Sequence, residues 1–138
     1  MTPDGLSLLA ETSFDAKSDV VKLVSDLRAK GHSPAVVAAV LSQAKLRRRA
    51  AAKFGEFANR MLFTEAGLEQ ASRLKVAALH AGRFLNAGSR SVADFGCGIG
   101  SESMAFASVG LEVDAFELDE VTAAIATYNL APFENARV

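Results

Sequence analysis

The sequence predicts a mixed fold, in which an N-terminal α-helical subdomain precedes the first part of a parallel α/β sheet. Apolar residues recur at helical spacing through residues 1–88, and glycines separate the apolar runs. From Ser91 the pattern changes to short apolar strands that alternate with short helical stretches. We therefore expect a helical subdomain at residues 1–88 and the incomplete start of a sheet domain at residues 89–138.

Three helices are predicted in the first subdomain. Ser33 can cap the second helix, and Pro34 fits its first position because the missing N–H would have no partner there. Thr64 can cap the third helix with its hydroxyl. The predicted helices cover residues 15–30, 34–54 and 64–87, and each is followed by a glycine.

The second part of the chain predicts a βαβα arrangement. The stretches "SVADFG" and "LEVDAFEL" are typical of strands, "SESMAFASVG" and "DEVTAAIATYNLA" of helices, and "NARV" of the start of a third strand. So few strands leave sheet edges and apolar faces uncovered. We therefore expect the chain to be the front part of a longer protein, or to form a homo-oligomer that covers the open sheet edge.

Composition excludes several classes of protein. The formal net charge is -1, so the whole molecule has no general attraction for nucleic acids or anionic membranes. A single cysteine, Cys97, excludes an internal disulfide. We find no secretion signal, and no apolar stretch approaches the roughly 20 residues of a membrane span. These observations predict a cytoplasmic protein.

The stretch "ADFGCGIGSE" contains three alternating glycines, Gly96, Gly98 and Gly100, which follow Asp94 at the end of a predicted strand. Such a loop either turns the chain without a ligand, holds a dinucleotide or holds another cofactor. The dinucleotide pattern G-x-G-x-x-G requires a glycine where Ser101 stands. Asp94 would also place a carboxylate beside the phosphates. Both features disfavour a nicotinamide dinucleotide (NAD) or a flavin.

The spacing Asp94-x-Gly96-x-Gly98-x-Gly100 resembles the D-x-G-x-G-x-G motif of class I S-adenosylmethionine-dependent methyltransferases, which have a Rossmann-like sheet. The resemblance implies that S-adenosylmethionine is the cofactor and that the loop packs under its methionine part. Asp94 would help to fix the loop and the amino group of the cofactor.

Three further residues are assigned to the cofactor by the same resemblance. Glu117 ends the next predicted strand, where its carboxylate would accept hydrogen bonds from the ribose hydroxyls, and Leu118 would lie near the adenine. Cys97 lies within the loop at a helix entry, where the pKa of a thiol can fall, although packing is its simpler role.

The stretch from Lys45 to Phe84 is similar to the corresponding segment of bacterial THUMP-like methyltransferases, which are related to trimethylguanosine-synthase-type RNA methyltransferases. This similarity implies that Phe63 and Thr64 lie close to the cofactor and that the substrate is RNA or a base-like amine. The aromatic cluster around Phe54 and Phe57 is otherwise expected in the core. In this family the acceptor motif follows a later strand, so we assign no catalytic residue and expect the 138-residue chain alone to be inactive.

The sequence contains two other groups of candidate binding residues. A basic face of the second helix predicts either contacts with RNA phosphates or a solvated surface, and consists of Lys45, Arg48, Arg49 and Lys53. His32 and His80 have no ligand partners at metal-binding spacing, so no metal site is expected. The alternatives to a methyltransferase are a helical module that binds or self-associates without catalysis, and an NAD-type dinucleotide-binding domain.

Overall fold

The structure, a computed structural model, describes residues 2–11 and 20–138. These residues form α-helices, a 3₁₀ helix and a small sheet. The helices are α1 (Pro3–Glu11), α2 (Val20–Ala29), α3 (Pro34–Phe54), α4 (Glu65–Gln70), α5 (Leu74–Asn86), α6 (Ser101–Ser108) and α7 (Glu120–Leu130); the 3₁₀ helix is Gly55–Arg60, and the strands are β1 (Ser91–Phe95), β2 (Glu112–Phe116) and β3 (Ala136–Arg137).

The chain divides into two compact units, Met1–Arg49 and Ala50–Val138. Helices α4 and α5, which the sequence analysis assigns to the helical subdomain, therefore belong to the same unit as the sheet. Across residues 2–11 and 20–138, no helix combines the length and the apolar character needed to cross a membrane.

The start of α3 confirms the sequence prediction. The Ser33 hydroxyl accepts a hydrogen bond from the Val36 N–H at 3.3 Å, and Pro34 is the first helical residue. Gly31, which follows α2, has the positive φ of 86° that a helix-ending glycine supplies. The predicted start of α2 near Asp15 lies outside the described residues, and α1 was not predicted.

The predicted third helix is in fact two helices, α4 and α5. Thr64 caps α4 as predicted, because its hydroxyl accepts from the Gly67 N–H at 2.9 Å. At the other end of α4, the Lys53 ammonium group donates to three carbonyl oxygens, those of Leu68 at 2.7 Å, Glu69 at 2.7 Å and Ala71 at 2.9 Å. This cation satisfies the carbonyls that a continuing helix would use, and so it stabilises the end of α4.

The sheet has the predicted parallel strands, in the order β1-β2-β3. Helix α6 connects β1 to β2, and α7 connects β2 to β3. The register pairs Asp94 with Ala115 and Phe95 with Phe116, so the carboxyl ends of β1 and β2 lie side by side. The residues that follow these two strands are therefore neighbours at one edge of the sheet.

Helix α5 packs along α6 in the same direction. The Phe84 and Phe106 rings meet edge to face with their centroids 5.1 Å apart, and His80 Nδ1 lies 3.1 Å from the Glu102 carboxylate. The two contacts are separated by one helical turn in both helices, which requires the helices to run parallel. The start of α5 therefore lies at the sheet edge where α6 begins.

Candidate functional site

The loop between β1 and α6 is held in a conformation that favours glycine. The φ angles of Gly96, Gly98 and Gly100 are 77°, 58° and 85°, and no other residue type has a positive φ in the described part of the chain. A Cβ on Gly96 or Gly98 would meet no atom within 4 Å, whereas one on Gly100 would contact Leu130 of α7. The main chain is thus open to a ligand at Gly96 and Gly98, while Gly100 packs against the protein.

Asp94 supports this loop from β1. The carboxylate is half-buried, and its Oδ2 accepts a hydrogen bond from the Ser103 hydroxyl at 2.6 Å. Ser103 is fully buried in α6. The bond therefore fixes the start of α6 relative to the end of β1, and it keeps a negative charge directly beside the loop.

Glu117 joins the loop to the end of β2. Its Oε2 accepts from the Gly98 N–H at 3.0 Å, and its Oε1 accepts from the Asp119 N–H at 3.0 Å. The carbonyl of Phe116 also accepts from the N–H groups of Gly96 and Cys97, at 2.8 Å and 3.0 Å. The two acidic residues singled out from the sequence therefore bracket the same loop.

The electrostatic effect of this arrangement is seen at Cys97. The pKa of the thiol is raised to about 11, first because the side chain is buried and then because the negative charges of Asp94 and Glu117 disfavour the thiolate. The helix entry, which can lower the pKa of a thiol, is outweighed. The contribution of the two carboxylates disfavours negative charge, which a diphosphate carries, and favours positive charge.

Cys97 is expected to be alkylated slowly in the folded protein. Raising the pKa from 9.0 to about 11 lowers the thiolate fraction near neutral pH about 100-fold, and the thiolate is the reactive form. With iodoacetamide, the rate in the native protein should rise steeply as the pH approaches 11 and should reach that of an ordinary thiol once urea unfolds the chain. Equal rates for native and unfolded protein near pH 8 would contradict this environment.

An open groove of about 620 Å³ adjoins the loop at the carboxyl end of β2. Leu118, which is 98% exposed, lines the groove next to Glu117. The exposed ring of Phe116 also lines the groove, and it stacks on the exposed ring of Phe95 with 4.8 Å between the ring centroids. The remaining lining residues are Gly96, Ala115, Ala123, Ala124, Thr127 and Val138. A flat apolar group of a ligand held by Glu117 has this surface available to it.

The two residues predicted upstream of the sheet lie in different surroundings. The Phe63 ring is 1% exposed and packs on Phe54, with 5.7 Å between the ring centroids. Phe63 is therefore a core residue, and the exposed aromatic residue of this cluster is Phe57, at 59%. Thr64 caps α4 and lies beside Ile99 of the loop, because a Cβ added at Gly67 would meet both. Contact of Phe63 or Thr64 with a cofactor stays a prediction.

Asn129 is the principal site residue that the sequence analysis missed. Its side chain is buried in α7, where Oδ1 accepts from the Leu62 N–H at 2.8 Å and Nδ2 donates to the carbonyls of Leu62 at 3.0 Å and Ile99 at 2.9 Å. It thereby fastens the glycine loop to the segment before α4. The only sequence signal was one amide side chain in the otherwise apolar end of "DEVTAAIATYNLA".

Gly67 of α4 lies against the glycine loop. A Cβ at this position would overlap Ile99 and the Thr64 hydroxyl, so α4 approaches the loop as closely as a glycine allows. Together with Asn129, Gly67 explains how segments distant in the chain hold the loop in place.

The four residues of the predicted basic face differ in their environment. Lys45, Arg48 and Arg49 are exposed on α3, whereas Lys53 directs its ammonium group to the end of α4 and so differs from the rest of the predicted basic face. Among residues 2–11 and 20–138, no three histidine, cysteine or acidic side chains gather as a metal site.

Comparison with known proteins gives two results. Residues 1–50 match a family described as a domain of unknown function (DUF8688).

Two curated proteins, one from each of two strains of Mycobacterium tuberculosis, are 37% identical to the chain over 91 residues. Each is named an uncharacterized S-adenosylmethionine-dependent methyltransferase. The chain is therefore similar to proteins of a methyltransferase family. The match covers 62% of this chain and 25% of each relative, so the chain spans about a quarter of the length of the curated relatives it matches.

Proposed function

We propose that the protein is an S-adenosylmethionine-dependent methyltransferase and that its second compact unit carries part of the cofactor site. The observation that carries this proposal is the loop at Gly96 and Gly98, which is open to a ligand and is bracketed by Asp94 and Glu117. The relatives named as methyltransferases support the same assignment.

The residues around the loop fit the chemistry of this cofactor. S-adenosylmethionine supplies an electrophilic methyl group on a positively charged sulfur, and it also carries an ammonium group. Burial is the main cause of the raised pKa of Cys97, and the negative charges of Asp94 and Glu117 raise it further; the same charges stabilise a bound cation. The missing side chains at Gly96 and Gly98 let a ligand lie against the main chain.

Glu117 keeps free acceptor capacity that hydroxyl groups of a ligand can use. An ionised carboxylate offers about four lone-pair sites, and the N–H groups of Gly98 and Asp119 occupy one on each oxygen. The remaining sites accept from the ribose hydroxyls, with the adenine beside Leu118 and Phe116. These residues bind and orient the cofactor, and such positioning supplies much of the acceleration in a bimolecular displacement.

A dinucleotide fits this loop less well. Its diphosphate would lie beside two carboxylates, and like charges a few ångströms apart in a partly buried site repel each other strongly. The N–H of Gly98, which would be needed for a phosphate oxygen, already donates to Glu117.

The acceptor is proposed to be RNA or a base-like amine, as the resemblance to THUMP-like methyltransferases implies. The test is methyl transfer by the full-length gene product, with radiolabelled S-adenosylmethionine and total RNA. Label that nuclease digestion releases from the RNA, and that a Glu117→Ala enzyme fails to transfer, supports the proposal. Label found only in protein, or transfer that Glu117→Ala leaves unchanged, would contradict it.

A further inference from the structure

A second groove in the same compact unit lies between the 3₁₀ helix and the start of α5. Its volume is about 640 Å³. Phe57 and the cations Arg73 and Lys75 line it, together with Ala51, Ala52, Lys53, Phe54, Gly55, Glu56 and Leu74. A smaller adjoining groove of about 480 Å³ shares Phe57 and Glu56 and adds Asn59 and Arg60. Phe57 therefore stands on the boundary between the two grooves.

The charge of this surface is predominantly positive. Arg60, Arg73 and Lys75 are exposed, and none of them forms an ion pair with a residue that the structure describes. Glu56 is the acidic lining residue. Lys53 also lines the groove, but its ammonium group is engaged with the carbonyls at the end of α4. Three cations without an ion-pair partner among the described residues thus line the two grooves with one carboxylate.

Phe57 gives the surface a second kind of contact. Its ring is 59% exposed, although the neighbouring Phe54 and Phe63 are buried in the core. An exposed aromatic ring among cations is the combination with which proteins bind single-stranded nucleic acids, because a base stacks on the ring while the cations contact the phosphates. An acidic protein segment would use the cations and leave the ring in water.

The start of α5, which lines the groove, lies toward the same end of the strands as the glycine loop. Helices α5 and α6 run parallel, and His80 of α5 meets Glu102 in the first turn of α6. Helix α5 begins six residues before His80, so Leu74 lies about 9 Å further along the helix axis, beyond the start of α6. Arg73 and Lys75 are thus placed at the rim of the edge that carries the candidate cofactor site.

We propose that Phe57, Arg60, Arg73 and Lys75 form a binding surface for single-stranded RNA, with a base on the Phe57 ring and phosphates on the three cations. The inference rests on the proposed function for the choice of RNA as acceptor, but the surface itself is separate from the glycine loop. None of these four residues belongs to the predicted basic face of α3.

The test is the fluorescence anisotropy of a short fluorescein-labelled oligoadenylate RNA titrated with the protein. Phe57→Ala should weaken binding about tenfold, the typical effect of losing one stacked base. Replacing Arg73 and Lys75 together by glutamine should weaken binding and reduce the dependence of log K on log salt by about 1.4 units, as expected for two lost contacts with a single strand. Leu79→Ala and Arg83→Gln, exposed positions further along α5, are the matched controls and should leave binding unchanged.

The outcomes separate this proposal from the proposed function. If S-adenosylhomocysteine binds but RNA binding is absent, or is unaffected by the Phe57 and Arg73/Lys75 variants, the RNA surface is wrong and the cofactor assignment stands. If these variants weaken RNA binding but no adenosyl ligand binds, the RNA surface stands and the methyltransferase assignment fails. Equal binding of polyglutamate, or of vesicles rich in anionic phospholipid, with the same response to Phe57→Ala, would overturn the choice of RNA.

Discussion

Replacing Glu117 by alanine is expected to weaken the binding of S-adenosylhomocysteine about 100-fold, because two charge-assisted hydrogen bonds to the ribose are lost at about 1.5 kcal/mol each. Isothermal titration calorimetry measures the effect directly. Glu120→Ala is the matched control, since it removes the same charge from an exposed position at the start of α7. The control should bind like the unmodified protein.

Glu117 also holds the loop, so a second variant is needed to separate the two roles. Gly98→Ala keeps the carboxylate but forces a side chain into φ 58°, which costs about 1–2 kcal/mol, and places a methyl group where the loop is open. It should also weaken binding. If both Glu117→Ala and Gly98→Ala bind S-adenosylhomocysteine as tightly as the unmodified protein, the loop is not the cofactor site.

Replacing Asn129 by leucine is expected to lower the free energy of unfolding by about 3 kcal/mol or more. The leucine fills a similar volume, but the buried N–H and carbonyl of Leu62 and the carbonyl of Ile99 lose their partner, and each buried unpaired group costs about 1–3 kcal/mol. Urea denaturation followed by circular dichroism measures the loss.

Thr127→Val provides the control for Asn129. Thr127 lies on the same helix, but its hydroxyl donates to the carbonyl of Ala123 at the exposed surface, so its loss should change the stability by less than about 0.5 kcal/mol. The Asn129→Leu protein should also bind S-adenosylhomocysteine more weakly, because Ile99 belongs to the glycine loop. Equal stability of the two variants would show that Asn129 does not hold the loop.

Local features of the fold were predictable because they depend on neighbouring residues. The helix cap at Ser33 requires only a hydroxyl three residues before a free N–H, and the strands around Asp94 and Glu117 follow from short apolar runs. Positive φ was to be expected at the three glycines of the loop, because glycine adopts this conformation more readily than any other residue type. Periodicity and conformational preference thus placed the acidic residues at one sheet edge.

The interactions that were missed join residues far apart in the chain. Asn129 is 67 positions from Leu62, and Lys53 is 15 positions from Leu68, so no local pattern announces either contact. The apolar spacing predicts one long helix here, whereas the contacts of Lys53 with the carbonyls stabilise the end of α4. The exposure of Phe57, which was expected in the core, has the same origin, because burial depends on tertiary packing rather than on the side chain itself.

A direct comparison of two ligands decides between the kinds of cofactor site that this loop could form. We expect S-adenosylhomocysteine to bind the unmodified protein in calorimetry at micromolar concentration, and NAD to give no heat of binding under the same conditions. Saturable binding of NAD without binding of S-adenosylhomocysteine would show that the two carboxylates beside the loop do not select an adenosyl ligand, and the account of the site would be wrong.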